Sequence, residues 1–218
     1  MEKFLECCCV TPQEVNFAQN HGARRIELCE RLELGGVTPS RDLLDTALRL
    51  ADIPVNVLVR PRGGDFVFSE EEVLLMLSDI EYCAKAGAAG VVIGALDENG
   101  DVDMPTMRRL VAKARECGLS VTFHRAFDVC ADPYGAFESV VQLGCDRLLT
   151  SGHEENAYEG RALIAELQAR GQLIVMAGCG VRPSNIDAIS ADAPSTRMSE
   201  PKTTRARPKI NKTTVSII

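Results

Sequence analysis

Two pairs of residues near the start of the chain combine a carboxylate with a thiol. Glu6 is followed two residues later by Cys8, and Glu27 is followed by Cys29. Side chains two apart on a strand lie on the same face, so each carboxylate shares a face with its thiol. If both strands turn these faces to one site, two carboxylates and two thiols converge there. Two thiolates can hold Cu(I), a soft ion, or contribute to a zinc site.

The same cysteines are also typical of a hydrophobic core. Free cysteine is among the most frequently buried residue types, and the chain has no Cys-x-x-Cys motif or Cys/His spacing that indicates a metal site. Cys7 and Cys9 alternate with Cys8, and we expect them to pack against helices. The residues alone leave both interpretations of Cys8 and Cys29 open.

A loop with two guanidinium groups follows the third apolar run of the chain. It contains Arg60 and Arg62, then two glycines and Asp65. A planar guanidinium suits a carboxylate or a phosphate, and glycines let the backbone approach a ligand closely. An Arg–Asp ion pair that only shapes the loop is the alternative. We predict that Arg60, Arg62 and Asp65 bind an anionic substrate.

A histidine stands at the end of the fifth apolar run. His124 shares a face with Thr122, and charged residues follow it. A histidine there could act as an acid/base group or a ligand, although a lone histidine is often only a hydrogen-bonded structural residue. The candidate catalytic residues are His124, Glu6, Glu27 and Asp128. The candidate substrate-binding residues are Arg60, Arg62, Asp65, Arg125 and Ser151.

These candidates occur in a repeating pattern of short apolar runs and longer helical segments. Helical spacing is clear in Ser69–Ala86 and Thr106–Cys117. Glycines such as Gly87 and Gly118 end helices just before the next run. The seven runs that we predict to be strands are Phe4–Val10, Arg24–Cys29, Pro54–Arg60, Gly90–Ala95, Leu119–Arg125, Asp146–Thr150 and Gln172–Ala177.

Seven strand–helix units predict parallel strands joined by helical crossovers, and continuous apolar strands indicate a sheet buried on both faces. The predicted fold class is α/β, a TIM-type (β/α)8 barrel, and a doubly wound open sheet is the alternative. In such a barrel, functional residues lie at the C-terminal ends of the strands and in the loops that follow.

The eighth strand unit is missing from the pattern or replaced by an irregular tail. Residues 193–218 are rich in Pro, Ser, Thr and basic residues, and only residues 215–218 could pair with a strand. We therefore predict a barrel domain at residues 1–192 and a basic tail at residues 193–218 that is disordered or bound to a partner. An incomplete barrel exposes strand edges, so we expect a homodimer.

Composition narrows the range of partners and compartments. The net charge is -7, although six Lys/Arg face one Glu from Ala193 onward, and an acidic body argues against a nucleic-acid partner. No apolar run is long enough for a membrane span, and the N-terminus lacks a signal-peptide pattern. Nine irregularly spaced cysteines suit free thiols in a reducing compartment. We expect a cytoplasmic protein with neither nucleic-acid nor membrane partners.

Five motifs, in order and at similar spacing, resemble the CutC family, known as copper homeostasis proteins. They are RIELCERLELGGVTPS, VLVRPRGGDFVFS, VIGAL, VTFHRAFD and LLTSG, and the resemblance extends from Phe4 to Ala188. It implies a TIM barrel, a cytoplasmic location and an association with copper. The cysteines suggested as copper ligands in relatives fall on Cys8 and Cys29, so the implied cofactor is Cu(I).

The resemblance also carries over a charged barrel mouth, without catalytic roles. Its residues are Glu6, Glu27, Arg60, Arg62, Asp65, His124, Arg125 and Asp128. The chain departs from the family where relatives continue with an eighth strand that bears small polar residues and a histidine.

Two main hypotheses for the function follow. The first is a copper-handling protein with Cys8 and Cys29 as thiolate ligands. The second is a barrel enzyme acting on a small metabolite with a phosphate or carboxylate group, in which Arg60 and Arg62 hold the anion and His124 is the acid/base group, paired with Glu6 or Glu27. A non-catalytic binding protein on a barrel scaffold is a third possibility, since fold does not imply function.

Overall fold

The structure, a computed structural model, describes residues 5–191 and 215–217 of the 218-residue chain. Strands and helices alternate along it. The strands are β1 (Leu5–Cys9), β2 (Ala23–Leu28), β3 (Val55–Leu58), β4 (Gly90–Ile93), β5 (Ser120–Phe123), β6 (Arg147–Thr150), β7 (Ile174–Ala177) and β8 (Val215–Ile217). The helices are α1 (Pro12–Asn20), α2 (Arg41–Leu50), α3 (Glu70–Ala86), α4 (Met104–Glu116), α5 (Pro133–Gln142), α6 (Arg161–Ala169) and α7 (Ile186–Ala191).

The strands form one closed barrel in sequence order. Each strand from β1 to β6 pairs in parallel with the next, and β8 joins β7 to β1. The prediction of a TIM-type barrel is therefore confirmed, and the closed order rules out the doubly wound alternative. The seven predicted strands are all present, although most are shorter at their ends, where the apolar runs continue into loops.

The eighth position of the barrel is filled in an unusual way. Instead of a parallel strand, the three residues of β8 run antiparallel to both neighbours, pairing Val215 with Cys7 and Ile217 with both Leu5 and Ala177. The replacement of the eighth unit predicted from the sequence therefore takes the form of a short reversed strand. The rest of the predicted tail lies outside the described residues, and the domain division at residue 192 stays a prediction.

Helix α3 illustrates how the sequence fixes the ends of the helices. Ser69 Oγ accepts the Glu72 N–H at 3.3 Å, and the Glu72 carboxylate accepts the Ser69 N–H at 2.8 Å, which together form a capping box. Gly87, at φ 97°, closes the other end. Among the described helices, none is long and apolar enough to cross a membrane.

Buried apolar residues fall into two groups. The larger one fills the space between the strands and the surrounding helices, and includes the outward-facing Cys7 and Cys9. The smaller one comprises Cys8, Cys29, Leu58 and Val92. Because neighbouring side chains on a strand point to opposite faces, this second group lies inside the barrel.

Candidate functional site

Cys8 and Cys29 lie side by side inside the barrel. Their Sγ atoms are 3.4 Å apart, a distance at which one thiol donates a hydrogen bond to the other. The backbone holds the two residues together because the Cys29 N–H donates to the Cys9 carbonyl at 3.1 Å. The structure thus brings together the two thiols that strand alternation selects from the sequence.

The thiol pair is covered from the C-terminal side of the barrel. Cys29 is 1% exposed and Cys8 is 8% exposed. Gly36, at φ +89°, passes so close that a Cβ there would lie 2.8 Å from the Leu58 side chain and 3.6 Å from Cys29 Sγ. Only a glycine gives this loop both the left-handed backbone and the close approach that cover the thiols.

The surroundings of Cys8 keep its thiol protonated. The hydrogen bond with Cys29, and next burial, raise the pKa of Cys8 well above its ordinary value, and Glu27 adds to this where it is ionised. A metal ion must therefore displace both thiol protons before the pair can bind it as two thiolates.

Glu6 lies one inward-facing position below Cys8 and is already paired. Its carboxylate accepts hydrogen bonds from Arg25 Nε and, at 3.5 Å, from Asn56 Nδ2. Arg25 also reaches Met176 Sδ at 3.5 Å on the far side of the barrel. Glu6 is thus the anion of a buried ion pair inside the barrel and does not stand free at the mouth.

Glu27 lies beside the thiol pair, in register with Cys8. Burial, and next the charge of Glu6, raise the pKa of Glu27 to about 8, while the charges of Arg25 and Arg125 act in the opposite direction. The Glu27 carboxyl is therefore predominantly protonated at neutral pH and can donate a hydrogen bond or a proton.

Arg60 follows the end of β3 and is held by backbone carbonyls. Its Nη1 donates to the carbonyls of Leu34 at 3.2 Å and Gly36 at 3.1 Å, and its Nη2 donates to that of Gly64 at 2.7 Å. Arg60 is only 5% exposed, and within the described ranges its Nε has no hydrogen-bond partner. The guanidinium therefore keeps one buried donor unused.

His124 follows the end of β5 and is neutral. Its Nδ1 accepts the Ala126 N–H at 3.1 Å, which places the ring proton on Nε2. Burial, then the charges of Arg60 and Arg125, lower the pKa of His124 to about 3. The ring is 4% exposed, and Nε2 has no hydrogen-bond partner among residues 5–191 and 215–217.

Phe66 packs against both of these groups. Its ring centroid lies 4.4 Å from Arg60 Cζ and 5.0 Å from the His124 ring. The phenyl ring is half-buried, and its backbone carbonyl accepts the Leu96 N–H at 2.9 Å. The anchored backbone leaves the side chain as the part of Phe66 that can move.

Arg62 and Asp65 lie farther out, on the loop before α3. Arg62 Nη1 is 3.0 Å from Asp65 Oδ1, and Arg62 Nε donates to Glu72 at 2.6 Å. Asp65 is exposed, and the Arg62 guanidinium lowers its pKa. The Arg62–Asp65 ion pair shapes the loop, and the binding of an anion by these two residues stays a prediction.

Arg125, Asp128 and Ser151 form one hydrogen-bonded network between the ends of β5 and β6. Arg125 donates through Nε to Asp128 at 2.7 Å and through Nη2 to Ser151 Oγ at 3.0 Å. The Ser151 N–H lies 3.0 Å from both Asp128 oxygens, and the Thr150 hydroxyl also donates to Asp128. Asp128 therefore organises the two loops, and its charge is balanced by Arg125.

Three features of the site were not anticipated from the sequence. Phe66 stands within the RGGDF segment, but nothing in its type indicated contact with two candidate residues. At Gly94, a Cβ would lie 2.5 Å from the His124 ring, so the glycine makes room for the imidazole. Cys130 Sγ and His153 Nε2 are 3.3 Å apart on neighbouring loops, a contact between residues 23 positions apart that has no local signature.

The donor set limits which metal the chain could hold. In the described part of the chain, no three His, Cys, Asp or Glu side chains form a cluster suited to a metal ion. The thiol pair supplies two soft sulfur ligands. Two soft ligands suit Cu(I), which prefers thiolates and can be bound by a small number of them. They suit zinc less well, because zinc takes four ligands in structural sites.

Comparisons with known proteins agree with this architecture. A sequence model described as the CutC family matches residues 3–200. A family protein CutC from Parabacteroides distasonis is 49% identical over 195 residues, covering 88% of this chain and 79% of the relative. A family protein CutC from Histophilus somni is 48% identical over 183 residues, covering 83% of this chain and 74% of the relative.

Solved structures extend the comparison to three dimensions. A CutC protein from Streptococcus agalactiae, whose given name associates it with copper homeostasis, has a TM-score of 0.80 and is 30% identical, covering 86% of this chain and 93% of that chain. A deoxyribose phosphate aldolase from Aeropyrum pernix has a TM-score of 0.57 at 15% identity, covering 84% of this chain and 78% of that one. At that identity the aldolase shows only the shared barrel fold.

Proposed function

The chain belongs to the CutC family, and from that premise we propose that it is a cytoplasmic protein of copper homeostasis that binds Cu(I) through Cys8 and Cys29. The observation that carries the proposal is the 3.4 Å separation of the two Sγ atoms inside the barrel. The copper-related name of the Streptococcus agalactiae structure supports the choice of metal. A reducing cytoplasm would keep both sulfurs as thiols.

The surroundings of the pair suit tight retention of an ion. Cys8 and Cys29 are buried among Leu58 and Val92, so a bound ion would be shielded from water and from competing thiols. A bis-thiolate site for a monovalent cation carries one net negative charge. The positive charge of the nearby Arg125 stabilises that negative charge, and Glu27 does not repel it because its carboxyl is predominantly protonated.

Entry of the ion requires proton release and a movement of the cover. Each thiol must lose its proton to become a ligand, so copper affinity should increase as pH rises. The Gly36 segment lies over Cys29, and Arg60 holds that segment by its backbone carbonyl. We therefore place the gate for copper at this loop, in contrast to a transfer protein that carries its thiols exposed.

A competition titration tests the copper proposal. Reduced, metal-free protein is titrated with Cu(I) against a chelator, using the wild type, Cys29→Ser and the Cys8→Ser/Cys29→Ser pair, with Cys7→Ser as the matched control. Cys7 is on the same strand but faces the helices. We expect one Cu(I) per chain, affinity at least about tenfold weaker in the Cys29 variant, and no change in the control.

Two results would contradict the proposal. One is equal affinity in the wild type and the double variant, which would place copper elsewhere. The other is equal weakening by Cys7→Ser, which would show that any change in this strand disturbs binding. Thermal unfolding of each variant separates loss of ligands from loss of fold.

Two titratable groups whose pKa values shift in opposite directions favour a second candidate function. In this function the chain is a barrel enzyme that acts on a small anionic metabolite. The pKa of Glu27 is raised to about 8 and that of His124 is lowered to about 3. A carboxylic acid that is protonated at neutral pH and a neutral imidazole in the same barrel are typical of acid/base sites. In this candidate Arg60 is the anion-binding residue, and copper plays no part.

A further inference from the structure

We propose that Arg60 and His124 form the binding site for the carboxylate group of a small molecule, and that Phe66 covers this site in the described conformation. The inference rests on the second candidate function and deepens it, because it names the chemical class of the anion and the atoms that bind it. It does not depend on copper binding by the thiol pair.

Two buried donors in the barrel lack acceptors among the described residues. Arg60 Nε and His124 Nε2 have no hydrogen-bond partner within the described ranges, although both side chains are more than nine-tenths buried. Buried donors without partners are rare in folded proteins because each loses its hydration without replacement. One acceptor group with two oxygens, such as a carboxylate, could serve both N–H groups.

The charge of Arg60 also distinguishes it from the neighbouring arginines. Arg25 is paired with Glu6 and Arg125 with Asp128, but no carboxylate of the described residues lies within ion-pair distance of Arg60. The guanidinium is held by three backbone carbonyls and the Phe66 ring, and the charge of Asp65 acts on it only from beyond ion-pair distance. No described carboxylate therefore neutralises this buried charge by direct contact. A carboxylate monoanion matches that single charge.

His124 helps to select the class of anion. Its ring is neutral and bonded through Nδ1 to the Ala126 N–H, so it offers a hydrogen bond but no second positive charge. A phosphate dianion would bring two negative charges to a site with one positive charge. The balance therefore favours a carboxylate over a phosphate.

Phe66 explains why the donors are covered here. One phenyl ring contacts both Arg60 and His124, and an aromatic ring is only a weak hydrogen-bond acceptor. Rotation of this half-buried side chain would uncover both N–H groups together. The ligand would then exchange a weak ring contact for two hydrogen bonds, one of them charge-assisted.

Acetate is the simplest probe. Nitrogen NMR of the histidine rings detects its binding to the full-length wild type. We expect a saturable change in the Nε2–H signal of His124, and no change at His21 or His153, the two other histidines. Inorganic phosphate at equal concentration and ionic strength is the comparison.

Paired variants test the roles of the individual side chains. His124→Asn keeps a short acceptor for the Ala126 N–H but ends before Nε2, so acetate affinity measured by calorimetry should fall by about tenfold. His124→Gln reaches the Nε2 position and should restore part of the affinity. Phe66→Ala should strengthen acetate binding because nothing has to be displaced, whereas Phe68→Ala, which removes the equivalent ring over Arg62, should leave it unchanged.

The outcomes separate the inference from the function on which it rests. Binding of phosphate without acetate would overturn the carboxylate assignment and leave the second candidate function standing. No response to either anion in the folded wild type would overturn both. Weaker acetate binding in Phe66→Ala would contradict the role of Phe66 as a cover.

Discussion

At the scale of single residues, burial keeps three titratable groups of the barrel interior in their neutral forms. It raises the pKa of Glu27 to about 8, lowers that of His124 to about 3 and contributes to the raised pKa of Cys8. The charged form loses its hydration inside the barrel in each case. The interior therefore presents hydrogen-bond donors and thiols at neutral pH, with Arg60 as a cation that no described carboxylate pairs with.

Glu27 should make the stability of the protein depend on pH. Its pKa is about 8 when folded and near 4.5 when unfolded, so between these values the folded state binds more protons. Stability is thus fully present below about pH 4.5 and decreases as pH rises through 8, by on the order of 5 kcal/mol. Glu27→Gln, which imitates the protonated form, should remove this decrease.

Urea unfolding at several pH values from 5 to 9 measures the effect. The exposed Glu98→Gln variant is the control and should keep the pH dependence of the wild type. Parallel stability curves for the wild type and Glu27→Gln would show that Glu27 ionises normally in the folded protein.

At the scale of elements, the N-terminus of α3 positions the arginine loop of the site. Glu72 serves the capping box with Ser69 and also accepts the Arg62 Nε–H at 2.6 Å. The loop from Arg60 to Ser69, which carries Phe66, is therefore tied to the helix by the same carboxylate. A local helix signal thus contributes to the geometry of the proposed ligand site.

Ser69→Ala should destabilise the protein by about 1 kcal/mol because it removes the cap from the Glu72 N–H. The matched control is Ser78→Ala, the same change at an exposed position within α3, where alanine should be neutral or slightly stabilising. Denaturant unfolding compares the two variants. Equal effects would show that the capping hydrogen bond contributes nothing.

At the scale of the whole molecule, the barrel closes through its weakest element. The reversed strand β8 has three residue pairs with β1 but only the Ala177–Ile217 pair with β7. A parallel eighth strand of normal length would cover more of the β7 edge. Because uncovered strand edges favour association, the short seam between β7 and β8 is the physical reason for predicting a homodimer.

We expect the purified protein to form a homodimer at micromolar concentration. Light scattering coupled to size-exclusion chromatography should give twice the mass of the 218-residue chain. If a second copy completes the seam, substitution of Ala177 by proline should shift the mass toward that of one chain. A monomeric wild type at these concentrations would contradict the prediction.

The sequence by itself determined the barrel and the identity of the facing thiols. Strand–helix repetition requires parallel strands, and the two-residue period of a strand places Cys8 and Cys29 on one face and Cys7 on the other. These are local properties, readable from neighbours along the chain. The motifs that resemble the CutC family add the association with copper.

Only the tertiary structure decided what each candidate residue contacts. The decisive contacts join segments that are distant in sequence. Glu6 pairs with Arg25, Phe66 packs against Arg60 and His124, and Gly36 covers Cys29. The raised pKa of Glu27 likewise depends on burial and on charges brought close by folding. Hydration, charge balance and hydrogen-bond satisfaction are properties of the assembled interior, so residue types and spacing cannot specify them.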